Sequence, residues 1–159
     1  MQEDFVESVL HSLKENNLDP QYLELEITES VAMENASECF TKLVELQELG
    51  VTISIDDFGT GYSSLAYLKQ LPLDFIKIDR SFVFDIQLNE DSLTIVTAII
   101  SMAKNLGLKI ITEGVETSEQ LEILKKLDCD IMQGFLFSKP LHPQDFEQYY
   151  RETLQKSAQ

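Results

Sequence analysis

Polar residues of a few types recur just beyond short apolar runs in this sequence: Glu26 and Glu29, Asp56 and Asp57, Lys77 and Asp79, Glu113 and Glu116, and finally Gln133. Carboxylates gathered with one lysine, and without a usable histidine or thiolate, form a hard, oxygen-rich donor set. Such a set favours Mg2+ or Mn2+ over zinc or copper. Adjacent Asp56 and Asp57 would repel one another without cations, so they read most economically as metal ligands, one of them bridging two ions. Two ions there could activate a water and stabilise a leaving oxygen. Plainer readings stand beside this one. Asp57 to Gly61 also reads as a turn in which the aspartate caps a helix starting near Ser63. Lys77, in strand phase with Phe75 and Asp79, could simply pair with Asp79, and Glu113 to Glu116 could lie in a solvated loop. Five polar strand ends in series argue against coincidence.

The elements that must position these residues follow from periodicity. Phe5, Val6, Val9, Leu10 and Leu13 at helical spacing predict an opening helix over 4–15, broken by Asn16-Asn17 and Asp19-Pro20. Residues 23–28, LELEIT, alternate as a strand does, and 37–49 form a helix ended by Gly50. The alternation then recurs as VTISI before 63–70, FIKI before 91–106, KIIT before 117–127, and IMQGF before 143–154. Thr117 with Gln120 makes a capping-box pattern, Gly107 follows Leu106, and Pro143 suits a first helical position. Five βα units predict an α/β domain with a parallel sheet, either open and doubly wound or curved into a barrel. In both cases the strands' carboxyl ends form the site face.

Two motif matches are rejected. Asp57-Phe58-Gly59 matches a kinase triplet without the accompanying catalytic loop or lysine strand, and GTGYSS follows two aspartates that would repel a pyrophosphate unless metals intervened. A phosphoacceptor receiver domain needs its acidic pair after the first strand and its lysine after the last, whereas Lys77 is on the middle strand.

Taken in order, ELEITES (24–30), DDFGTGYSSL (56–65), FIKIDRSFV (75–83), TEGVET (112–117) and QGFLFSKPL (133–141) resemble the EAL family over nearly the whole chain. The resemblance implies a TIM-type (β/α)8 barrel that hydrolyses one phosphodiester of the bacterial second messenger cyclic-di-GMP, giving linear pGpG with two Mg2+ or Mn2+ ions. It implies Glu26 as a first-metal ligand, Asp56 as the bridging ligand, Asp57 as a second-metal ligand, and Glu113 as a ligand to the second metal or its water. Lys77 would hold and activate the nucleophilic hydroxide, and Gln133 would orient a water. Glu29 would anchor the loop from Phe58 to Ser63, linking metal occupancy to dimerisation, while Asp79 and Glu116 support the site from nearby. Phe135 and Phe137 lie where a guanine could stack, with core packing as the alternative.

The tripeptide that names the family is absent, with its glutamate ligand, as is the upstream Asn-x-Ser strand that supplies an asparagine ligand. The first metal is therefore expected to keep Glu26 and Asp56 alone. A whole barrel takes about 250 residues, and this chain starts at the helix that would follow a third strand. A partial barrel of about five strands is expected, as one domain over 1–159. Its edges would be covered by a homodimer, a swapped domain or further polypeptide. Sensory or diguanylate cyclase (GGDEF) domains could lie upstream. An alternative function is a catalytically impaired module that binds cyclic-di-GMP or a protein partner.

Bulk properties bound the rest. The 159 residues are 43% hydrophobic and 25% charged, enough for one core. A net charge of -16 with 12 basic residues argues against duplex nucleic acid, and an anionic substrate then needs a cation to bridge it. No apolar run approaches the roughly 18 residues that span a bilayer, and MQEDFVESVL is no signal peptide. Cys39 and Cys129 form no metal-binding or disulfide pattern, which suits a reducing bacterial cytoplasm. His11, inside a helix, and His142, before Pro143, read as structural or solvent-facing.

Overall fold

The computed structural model describes residues 4–34, 36–60 and 68–157. Helix α1 (Phe5–Glu15) leads into strand β1 (Glu24–Thr28), helices α2 (Glu29–Glu34) and α3 (Ala36–Glu48), and strand β2 (Thr52–Phe58). Strand β3 (Phe75–Ile78), a short helix α4 (Arg80–Val83) and the long helix α5 (Glu90–Asn105) follow. Strand β4 (Lys109–Thr112), helix α6 (Ser118–Lys126), strand β5 (Ile131–Met132) and helix α7 (Pro143–Ser157) complete the order. All strand pairs are parallel, and the sheet order is β1-β2-β3-β4-β5. Strands that stay in chain order belong to a barrel wall, since a doubly wound sheet reverses direction part-way.

One face of the sheet is apolar and covered by helices. Ile53, Ile55, Ile76, Ile78 and Ile110 are buried there. They meet Leu43 and Leu46 of α3, Val96, Ile99, Ile100 and Ala103 of α5, and Leu124 of α6, all within one hydrophobic core. The helical residues recur at three- and four-residue spacing, which gives each helix a single buried stripe. The strand residues alternate, so their neighbours Glu26, Ser54, Asp56 and Lys77 lie on the other face.

Several boundaries differ from the sequence reading. Strand β2 does not stop at Ile55 but continues through Asp56 and Asp57 to Phe58. Its register against β3 runs Ile55 with Ile76 and then Phe58 with Ile78, so β2 carries one extra residue. This is a β-bulge. Asp57 takes the extra turn at φ 54, and Phe58 returns to the helix-covered side, where it is buried. Strand β5 is two residues, not the five of IMQGF. Gly134 passes so close over Val115 that an added Cβ would lie 2.1 Å from the Val115 carbonyl oxygen, and the chain turns away over Phe135–Phe137. Short helices α2 and α4 were not anticipated. Thr28 Oγ1 accepts from Val31 N at 3.4 Å to start α2, and Asp79 Oδ1 accepts from Ser81 N at 3.0 Å to cap α4. The helix expected over 63–70 falls largely outside the described residues.

Candidate active site at the carboxyl ends of the strands

Lys77 is the centre of the site. Strand β3 is flanked on both sides, so a side chain on its polar face is enclosed, and Lys77 is only 5% exposed. A buried ammonium requires counter-charges, and three strands supply them. Nζ lies 2.6 Å from Glu26 Oε1 of β1, 3.1 Å from Asp56 Oδ1 of β2, and 2.8 Å from Glu113 Oε1 just past β4. Burial on its own would lower the lysine's pKa. The carboxylates of Glu113, Glu26 and Asp56 outweigh that effect and hold it above the ordinary lysine range, so the group is charged at neutral pH.

The oxygen donors are not fully used by this arrangement. Asp56 Oδ1 is close enough for charge attraction, but it is buried and no N–H or O–H is aligned on it. Among the described residues Ser54 Oγ, fully buried beneath it on the same strand face, has no hydrogen-bond partner. A carboxylate oxygen held by the ammonium's charge alone, among hard anionic donors, fits a divalent cation. Among the described residues, however, no group of three or more His, Cys, Asp or Glu is arranged as a ready metal site, and Glu26, Asp56 and Glu113 close on Lys77 Nζ instead.

The remaining predicted residues are spread around this centre. Asp57 is exposed, and its carbonyl accepts from Thr60 N at 3.3 Å and Thr60 Oγ1 at 2.8 Å. This realises part of the turn reading, while its carboxylate is directed by a left-handed backbone that non-glycine residues seldom adopt. Glu29 is buried and its Oε2 accepts from Gly59 N at 3.3 Å, tying α2 to the residues after the bulge. Gly59 belongs to the segment that Glu29 was expected to anchor, while Gly61 to Ser63 lie outside the described residues. Asp79 does not pair with Lys77. It caps α4, and although partial burial would raise its carboxyl pKa, its bonds to Ser81 and Arg80 hold it below the usual aspartate value. Glu116 is exposed and lines a cleft with Arg80, Ser81, Phe84 and Gly114. Gln133 is exposed too. Its backbone is held on both sides, N donating to Thr112 O at 2.8 Å and O accepting from Val115 N at 3.0 Å.

Phe135 and Phe137 are 55% and 44% exposed, so neither is a core residue. The Lys139 ammonium stands 5.8 Å from the Phe135 ring centre. His11 pairs with Glu15 in the exposed face of α1 at 3.4 Å, and His142 is exposed. Cys39 and Cys129 are buried and not disulfide-bonded. Burial pushes the Cys129 thiol up against the opposing pull of its Thr112 contact, which disfavours the thiolate.

Sequence reasoning missed Ser54 and Gln120. Ser54 is in register with Glu26 and sits one step below Asp56 on the site face, so strand alternation alone could have singled it out. Gln120, anticipated only as a capping-box member, is 2% exposed and its Nε2 also donates to Val83 O at 3.1 Å and Phe84 O at 3.2 Å.

The comparisons with known proteins bear on this constellation. The sequence model of the EAL domain matches residues 1–140. The chain is 49% identical over 146 residues to the cyclic di-GMP phosphodiesterase NbdA of Pseudomonas aeruginosa, covering 92% of this chain and 19% of that protein. It superposes on the PaMucR phosphodiesterase in its c-di-GMP complex with a TM-score of 0.88 at 46% identity, covering 91% of this chain and 59% of that one. It also resembles Klebsiella pneumoniae BlrP1 in a manganese and cy-diGMP complex, with a TM-score of 0.80 at 34% identity over 87% of this chain and 35% of that one. The chain spans about a fifth of the length of the curated relatives it matches.

Proposed function

The chain belongs to the EAL domain family, and from that membership we propose that it hydrolyses one phosphodiester of cyclic-di-GMP, releasing linear 5'-pGpG, with two Mg2+ or Mn2+ ions. The observation that carries the proposal is the meeting of Glu26, Asp56 and Glu113 on the buried ammonium of Lys77 at the carboxyl ends of parallel strands. Two relatives of known structure were solved with the dinucleotide bound, one of them with manganese, which supports the substrate and the cation class.

In this mechanism Glu26 and Asp56 would hold one cation, and Asp56, Asp57 and Glu113 would hold the second. When bound, the cations supply Lewis-acid neutralisation of charge on the phosphoryl oxygens. Lys77 orients the attacking water through its N–H groups and offsets the same developing charge. Gln133, just past β5, would orient a second water. Water attacks phosphorus in line, the new P–O bond forms, and the bond to the 3' oxygen breaks. That oxygen leaves with a proton, and the phosphate stays on the 5' side. Glu29 keeps the segment after Phe58 in place through Gly59, and Phe135 and Phe137 offer exposed rings for a guanine.

The same proposal sets the chain in the bacterial cytoplasm, where two unbridged cysteines are at home, and among the described residues no helix is long and apolar enough to cross a membrane. It places sensory or GGDEF domains upstream and a second copy against the barrel edges; the relative MucR of Pseudomonas aeruginosa is named a bifunctional diguanylate cyclase and cyclic di-GMP phosphodiesterase. The second reading, binding of cyclic-di-GMP without turnover, draws on the absence of a grouped metal-ligand triad among the described residues. One experiment separates them: the purified chain is incubated with cyclic-di-GMP and Mn2+ or Mg2+, and the nucleotides are resolved chromatographically. Hydrolysis requires pGpG in the wild type and none with chelator or in Asp56→Asn. Dinucleotide bound but uncleaved establishes the second reading instead.

A further inference from the structure

We propose that in the metal-free chain the Lys77 ammonium is itself the resident cation of the carboxylate cluster, and that an incoming divalent ion must displace it from Glu26 and Glu113. The inference rests on the metal-dependent reading of this site. Three anionic side chains from three separate strand ends converge on one nitrogen, at 2.6, 2.8 and 3.1 Å. Without a positive charge between them the three carboxylates, carried by β1, β2 and the residue just past β4, would repel one another and splay. The spacing is that of an ammonium. Mg2+ draws oxygen ligands to about 2.0–2.1 Å, so the same carboxylates must close inward to bind it.

Asp56 Oδ1 supplies the point of entry. It is the carboxylate oxygen of the cluster that is buried without an aligned donor, whereas Glu26 and Glu113 make the two shorter ion pairs. A cation that first engages Asp56 competes with Nζ for the other two. Lys77 is thereby a placeholder that keeps the site assembled before loading, and its release is coupled to metal binding. Competition for shared ligands is reciprocal, so removing the lysine charge must strengthen metal binding by the same factor that metal weakens the lysine contacts.

Titration calorimetry with Mn2+ and no nucleotide, on wild type and Lys77→Met, reads this directly. Lys77→Met is expected to bind Mn2+ about tenfold or more tightly than wild type, within the usual range of such couplings. The side-chain 15N resonance of the Lys77 ammonium in wild type, followed during Mg2+ addition, is expected to shift and to lose its protection from exchange as the metal saturates. That measurement needs no variant and decides the matter should Lys77→Met fail to fold. Equal or weaker Mn2+ binding in Lys77→Met, or a Lys77 signal unmoved at saturating Mg2+, overturns the displacement alone. Absence of Mn2+ binding in both proteins overturns the displacement and the metal-dependent reading together.

Discussion

A carboxylate buried beside a backbone N–H does more than fill space, because its charge strengthens the hydrogen bond and leaves a costly orphan if the bond is lost. Glu29 is such a group. Its Oε2 holds Gly59 N, and Gly59, at φ 96, is wedged so that a Cβ would lie 3.1 Å from the Phe82 ring and 3.2 Å from Ile99 Cδ1. Glu29 therefore fixes where the chain goes after Asp57. Glu29→Ala is expected to lower turnover of cyclic-di-GMP about tenfold or more with the fold retained by circular dichroism, while Glu29→Gln, which keeps an acceptor oxygen, recovers most of it. An alanine variant at wild-type rate would remove Glu29 from the positioning of Asp57. Gly114 tests a different kind of constraint: at φ 71, its added Cβ would meet Arg80 Cβ at 2.4 Å. Gly114→Ala should cost about 2 kcal/mol or more in urea unfolding, from the left-handed backbone and the clash. Of the candidate site residues, Glu26, Asp56, Lys77 and Glu113 were legible because each lies in or just past a strand, in the alternation phase opposite the apolar face. The fate of Asp57 was not, since a bulge breaks the alternation on which such reading depends, and nothing in the letters Asp-Asp says which residue is the extra one. The possible Lys77–Asp79 pair failed for a related reason: Asp79 is where the strand ends and α4 begins, so its side chain serves the helix.

Helices α4 and α6 are joined through one residue. Gln120 Oε1 accepts from Glu116 N at 2.7 Å and Thr117 N at 2.9 Å, while its Nε2 donates to the carbonyls of Val83, the last residue of α4, and Phe84 just after it. Thr117 Oγ1 closes the capping box by accepting from Gln120 N at 3.2 Å. A side chain that satisfies groups on two elements couples the stretch after β3, which carries Lys77, to the stretch after β4, which carries Glu113. Gln120→Leu keeps the bulk but strands these buried polar groups, and it should destabilise the chain by about 2–4 kcal/mol. Thr117→Ala, which loses only a cap, should cost about 1 kcal/mol. Equal losses in denaturant unfolding would show that the capping box alone matters. At this scale periodicity served well for the long helices: α5 and α6 begin and end within a residue of the expected 91–106 and 117–127. It could not find α2 or α4, because six and four residues are too short to show a 3.6-residue repeat. It also overran β5, where the close passage of Gly134 over Val115 is a tertiary contact that no local pattern records.

The whole molecule sets a packed face against an incomplete one. Helices cover the apolar side of the sheet, but β1 and β5 have a partner on one side only among the described strands, and edge strands with free N–H and C=O groups recruit further strands. Exposed apolar groups accompany those edges: Tyr22 before β1, Ile131 within β5, and Phe135 and Phe137 after it. Two features oppose pairing. Glu24 and Glu26 put acidic groups along β1, and the net charge of -16 makes every encounter between copies repulsive at long range. Association should then depend on salt in a definite direction. At low ionic strength repulsion acts over tens of ångströms, whereas near 0.15 M it is screened beyond about 8 Å, and the short-range edge and apolar contacts are unaffected. Sedimentation equilibrium of the chain is therefore expected to show mass above the monomer that grows with concentration and with added NaCl. A Lys for Glu24 exchange should shift the same curve toward association at low salt by weakening the charge on the edge. A monomer at every concentration and salt level would mean that the acidic edge is itself sufficient protection, and that completion of the barrel wall is not what a second copy provides.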